Sequence, residues 1–165
     1  VRILPVSAIA PRAYDGPPPS RLEAEPYAKD AISSTKRYFQ AGLLNLAQLV
    51  APAMIEAGKG AIVVTGNTSA LRGSPNFAGF APTKAAQRIL AESLARDLGP
   101  KGVHVAYLVI DAVIDVPWAR EMYSNAPDDF FIQPKSIAAE VFHLAHQPKD
   151  AWTFISEVRP YREKW

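Results

Sequence analysis

The chain has 165 residues, 48% of them hydrophobic and 21% charged, proportions that describe a single soluble globular domain with a real core. Eighteen Lys and Arg against 16 Asp and Glu leave a net charge of +2 with no basic run, which excludes an electrostatic nucleic-acid footprint. With no cysteine, disulfides, thiolate catalysis and cysteine-ligated zinc are excluded, and no apolar run approaches the ~20 residues of a membrane span.

Residues 1–9 read as a buried strand interrupted by Pro5, which suits a strand end or an edge. Ala10 to Arg21 is proline-rich and reads as a surface loop; no secretory signal precedes it, so the expected compartment is cytoplasmic. From about Ala24 to Ala57 the pattern is helical, with Leu43, Leu46, Ala47, Val50 and Met54 at mixed three and four spacing and Pro52 as an expected kink. Gly58-Lys59-Gly60 closes the helix. Ala61-Ile62-Val63-Val64 is a short apolar strand, followed by a Gly/Ser/Asn-containing loop through Pro75.

Phe77 to Leu98 is the clearest helix, with Ala86, Ile89, Leu90, Leu94 and Leu98 as its apolar stripe and Gly99-Pro100 as its stop. Val103 to Ile110 is a second apolar strand. Residues 112–134 are irregular, Ser136 to His146 is a helix expected to be capped by Ser136, and Ala151 to Glu157 is a last strand. The alternation of strand and helix specifies an open parallel α/β sheet of about four strands, with helices on both faces and right-handed crossovers.

The order Ile62-Val63-Val64, Ser69-Ala70-Leu71-Arg72-Gly73-Ser74-Pro75, Phe80-x-x-x-Lys84-Ala85-Ala86, Leu94-Ala95-Arg96-Asp97-Leu98-Gly99-Pro100-Lys101-Gly102-Val103 resembles the short-chain dehydrogenase/reductase family, in its second half. The resemblance implies a Rossmann-like fold cut short, one domain over residues 1–165 without the N-terminal glycine-rich dinucleotide-binding half. Members of the family bind NAD(P) through a glycine-rich turn after the first strand, and no G-x-G-x-x-G occurs here.

The family's catalytic tyrosine, four residues before the lysine, falls on Phe80, whose ring can neither give nor take a proton. Its serine falls on Asn67, beside Thr68, and its helical asparagine on Phe39; of the four catalytic positions Lys84 alone is retained. The Pro-Gly that follows the family's sixth strand reads as Asp111-Ala112. The expected cofactor is therefore none, with NADP or NAD as the alternative.

Lys84, Thr68, Asn67 and Asp111 are the candidate catalytic residues. For Lys84 the competing reading is a solvated or carboxylate-paired lysine. For Asp111 and Asp115, past a strand's carboxyl end, it is turn chemistry. Phe80, Trp118, Met122 and Tyr123 are the candidate substrate-binding residues, because aromatics concentrated in a connection need a surface to bury against. His104 reads as structural, and His143 and His146 lack an acidic partner at ligand spacing, so no metal is expected.

These residues admit three functions. One is a redox-incompetent relative that binds or transforms a small carbonyl molecule as a lyase, isomerase or cyclase. Another is an NAD(P)-dependent oxidoreductase whose cofactor half is supplied elsewhere, its proton coming from Thr68, Tyr107 or water. The third is a non-catalytic scaffold. The expected partners are a small molecule and a second copy of the chain, docked through helices 30–57 and 77–98, with no nucleic acid and no membrane. Residues 10–30, the C-terminal tail or that second copy are expected to cover the open sheet edge.

Overall fold

A computed structural model describes residues 41–163. The expected strand at 1–9, the proline-rich loop, Phe39 and the first part of the long helix lie outside the described residues.

Helix α1 (Gly42–Glu56) runs through Pro52 to a left-handed glycine, Gly58, at φ 61°. There Gly58 N donates to Ile55 O at 2.9 Å and Lys59 N to Met54 O at 3.1 Å, the paired bonds that satisfy a helix's last carbonyls. The chain then turns directly into β1 (Gly60–Asn67). Helix α2 (Ala81–Leu98) crosses back, and Gly102, at φ 84°, opens β2 (Val103–Ile110).

β1 and β2 are parallel and in register from Gly60 opposite Val103 to Asn67 opposite Ile110. The described residues continue with β3 (Val113–Ile114), the short helix α3 (Pro117–Met122), β4 (Phe131–Ile132), helix α4 (Pro134–Ala145) and β5 (Ile155–Val158). β5 lies parallel to β2 on its other side, so the order of the sheet is β1-β2-β5, while β3 and β4 form a separate parallel pair. The α/β architecture expected from the alternation of apolar runs is the one observed.

β2 is buried almost throughout, as a strand covered on both faces must be. Val103, Val105, Tyr107 and Val109 pack with Leu43, Ala47 and Ala91 of α1 and α2, whereas Ala106 and Leu108 pack with Leu144 of α4. The buried face of α2 differs from its expected stripe. Thr83, Lys84, Gln87 and Ala91 are buried, and Ile89 is half exposed. In α4 the N-cap is Gln133, and Ser136 sits inside the first turn with its N–H on Gln133 O, so it caps nothing.

Candidate functional site at the carboxyl ends of the strands

β1 ends at Asn67, whose side chain turns back on its own loop. Asn67 Oδ1 accepts from Ser69 N at 3.1 Å and holds a single 3-10 turn over Thr68–Ala70. The loop passes Asn76, at φ 67° in the left-handed region that asparagine tolerates, and enters α2 where Phe77 O accepts from Ala81 N at 2.7 Å. Across from it, β2 delivers Asp111 at the same level. A cavity of about 360 Å³ opens between the two, walled by Asn67, Thr68, Arg72, Asp111, Phe130 and Glu163 among others. An adjoining hollow of about 610 Å³ shares Ser69, Arg72, Ser74 and Phe77. A further apolar cavity, of about 500 Å³, lies at the opposite, amino end of the strands around Met54, Gly60 and Gly102. Open parallel sheets hold their ligands outside the carboxyl ends, which places the site in the first of these.

Asn67, Thr68 and Asp111 are therefore brought together. Asp111 is buried; its N–H donates to Val158 O at 2.9 Å and its carboxylate faces Arg159 at 3.6 Å. Arg159 also pairs with Glu157, which ties the exit of β5 to the cavity floor. Asp115 is a structural clamp: Arg120 Nε donates to it at 2.6 Å and Gln133 Nε2 at 2.6 Å, holding its carboxyl down at about 2.

Lys84 projects from the first turns of α2 into a dry environment, 7% exposed. Nζ donates to Gln87 Oε1 at 3.2 Å and lies 5.8 Å from the centre of the Phe80 ring. Burial pushes its ammonium down to about 8, within reach of neutral pH. Lys84 and Phe80 stand beside the loop and do not wall the cavity.

Trp118, Met122 and Tyr123 lie on and just after α3, at 58%, 57% and 41% exposure, and none of them walls the cavity. Their segment is organised around Arg120, which lies over the Phe131 ring at 4.1 Å and reaches Asp128 at 2.6 Å. Phe130 is the aromatic of that connection that reaches the site. Arg72, Phe77 and Glu163 were not singled out by sequence reasoning. Loop position after Asn67 was the signal available for the first two, and none marked Glu163. His104 Nε2 lies 2.9 Å from Thr153 O, and its ring stacks on Trp152 at 4.9 Å. No group of three metal-ligating side chains occurs among the described residues, and none of their helices is long and apolar enough to cross a membrane.

A parallel α/β sheet with a polar cavity at the carboxyl ends of its strands defines an open-sheet, Rossmann-like protein. The chain belongs to the short chain dehydrogenase family, whose sequence profile matches residues 22–125. It is 29% identical over 118 residues to a very-long-chain 3-oxoacyl-CoA reductase of Aspergillus terreus, a match covering 69% of this chain and 32% of that one. Among solved structures, a short-chain dehydrogenase from Rhodopseudomonas palustris is 34% identical with a TM-score of 0.64, over 85% of this chain and 55% of that one. An alcohol dehydrogenase from the archaeon Thermococcus sibiricus, complexed with 5-hydroxy-NADP, superposes with a TM-score of 0.70 at 20% identity, over 85% and 58%. The chain thus spans about a third of the curated relative and somewhat over half of these structures.

These findings correct the expectation that no cofactor is involved. The family is one of dehydrogenases, and a structural neighbour was solved holding a nicotinamide dinucleotide. The expectation failed because a glycine-rich turn reports only on the segment that holds pyrophosphate.

Proposed function

We propose that this chain forms the substrate side of an NAD(P)-dependent oxidoreductase acting on an alcohol–carbonyl pair, with the pyrophosphate of the dinucleotide held by residues outside 41–163. The observation that carries this reading is the convergence of Asn67, Thr68 and Asp111 on one cavity at the strand ends of a short chain dehydrogenase. Family membership favours it over the lyase, isomerase or cyclase reading that Phe80 suggested.

The residues present fit the nicotinamide end of such a cofactor. Polar side chains line the cavity at the carboxyl ends of β1 and β2, and Lys84, a desolvated ammonium in the first turns of α2 that does not wall it, is the donor we assign to ribose hydroxyls. When bound, the dinucleotide supplies hydride transfer between its ring and the substrate's carbinol carbon. The side-chain amide of Asn67 and the hydroxyl of Thr68 are donors for a carbonyl oxygen. With Phe80 in place of a phenol, Lys84 is the group to which we assign the proton transfer. Held down to about 8, it is mostly protonated at neutral pH, ready to give a proton during reduction, and takes one above that during oxidation. Asp111 is engaged by Arg159, and its part is to fix the floor. Leu44, Leu49, Ile55 and Ile89 are exposed on α1 and α2 and support self-association through these helices.

The test follows NADH and NADPH fluorescence during titration of the full chain, then nucleotide reduction against a panel of secondary alcohols. Saturable nucleotide binding with turnover that K84M abolishes is expected. Absence of both would overturn the reading.

A further inference from the structure

Arginines among the described residues follow a pattern with one exception. Arg88, Arg96, Arg120, Arg159 and Arg162 each lie within ion-pair distance of a carboxylate. Arg72 makes no ion pair with any described residue, and it walls both the 360 Å³ cavity and the hollow that adjoins it. A guanidinium offers a planar fork of donors that matches a carboxylate.

Besides Arg72, two charged side chains wall the cavity, Asp111 and Glu163. Asp111 lies 3.6 Å from Arg159, which also pairs with Glu157, so these three side chains together keep one net negative charge. Glu163 also walls the cavity; its backbone N–H donates to Pro160 O at 3.0 Å, and its carboxylate has no ion pair or side-chain hydrogen bond among the described residues. Arg72 and Glu163 are not paired with each other either. Among the described residues the cavity thus presents one unpaired cation, Arg72, together with an excess of negative charge that includes the unpaired Glu163, and the complement of that pattern is a molecule carrying both signs. At about 360 Å³ the cavity itself lies near the lower end of the ~300–1,000 Å³ typical of ligand sites and suits a small molecule, with the adjoining hollow sharing four of its walls.

We propose that this cavity selects a small hydroxy amino acid, or the matching oxo amino acid, with its carboxylate on Arg72 and its ammonium on Glu163. Recognition of the zwitterion stands on these charges alone; that its hydroxyl is oxidised rests on the oxidoreductase reading above.

Calorimetric titration of the full chain with L-threonine, 3-hydroxybutyrate and 1-amino-2-propanol separates the two charges. Threonine is expected to bind at least about tenfold more tightly than either probe lacking one charge. Arg72→Gln should bring threonine down to the level of the amino alcohol, and Glu163→Gln to the level of the hydroxy acid, while Arg72→Lys retains part of the preference. Equal affinity for the three probes, no saturable binding of any, or unchanged threonine affinity in both Gln variants overturns the proposal. Nucleotide-linked turnover is read separately. Threonine that binds but is never oxidised sinks the oxidoreductase reading and leaves this site standing. Oxidation of neutral alcohols with equal kcat/KM does the reverse.

Discussion

The Tyr107 hydroxyl on β2 lies directly against the Cα of Gly66 on β1, so that a methyl group at Gly66 would overlap the phenol. Glycine is needed here for space, one residue before the turn that presents Asn67. Gly66→Ala is expected to destabilise the fold by about 1–3 kcal/mol, the usual cost of overpacking. Urea denaturation measures it, and Tyr107→Leu in the same chain should make the loss less than additive. An additive pair would show that the two residues do not share the clash.

Tyr107 is fully buried, and its hydroxyl has no hydrogen-bond partner among the described residues. Burial pushes the phenol up to about 12, with the charge of Arg88 pulling weakly the other way. An orphaned buried hydroxyl costs stability, so Tyr107→Phe should gain about 1–2 kcal/mol in thermal or chemical denaturation. The pH dependence has a definite sign. Above pH ~10 the unfolded chain ionises its phenol while the folded chain holds its proton, so stability falls between ~10 and 12. The Phe variant should lack that share of the alkaline loss.

Lys84 acts in the opposite sense. Its ammonium is lowered from 10.5 to about 8 by desolvation, so between those values the unfolded chain binds more protons than the folded one. Stability then rises with pH across that window, and below it the burial penalty is carried in full. The Lys84→Met variant carries no such penalty. Its advantage at pH 7 should shrink by on the order of 3 kcal/mol by pH 10.5, read as the difference between the two denaturation curves. The same titration should appear as an oxidation rate that climbs through about pH 8 in the unmodified chain.

The clamp on Asp115 controls the segment around α3. With Arg120 as the larger cause and Gln133 the lesser, its carboxyl is lowered to about 2. The contribution is present above ~3.9, the unfolded value, and is lost as pH falls through about 2. Asp115→Asn frees Arg120, so tryptic cleavage after Arg120 should become several-fold faster at neutral pH, while the main unfolding transition changes little. Unchanged cleavage would show that Phe131 and Asp128 alone hold the arginine.

The βαβ unit from Gly60 to Ile110 was legible in the chain, because two apolar runs separated by a loop and a long helical pattern have few other solutions. The buried side of α2 was not. Periodicity selects the most apolar face, yet this helix turns Thr83, Lys84 and Gln87 inward and leaves Ile89 half exposed. The aromatics around Trp118 and Tyr123 looked like cavity lining by composition, but the segment is set by Arg120, whose contacts to Asp115, Asp128 and Phe131 follow no helical or strand period. Asn67, Thr68 and Asp111 could be placed because strand ends fix them. Arg72 and Glu163 could not, since whether a charge is paired is decided by tertiary contacts.

β2 contributes alternate side chains to the two layers that sandwich it, Tyr107 and Val109 to one, Ala106 and Leu108 to the other. A shared wall of this kind leaves neither layer able to loosen while its neighbour stays intact. The described residues should therefore melt as one calorimetric event, with the amides of β2 exchanging only when everything opens.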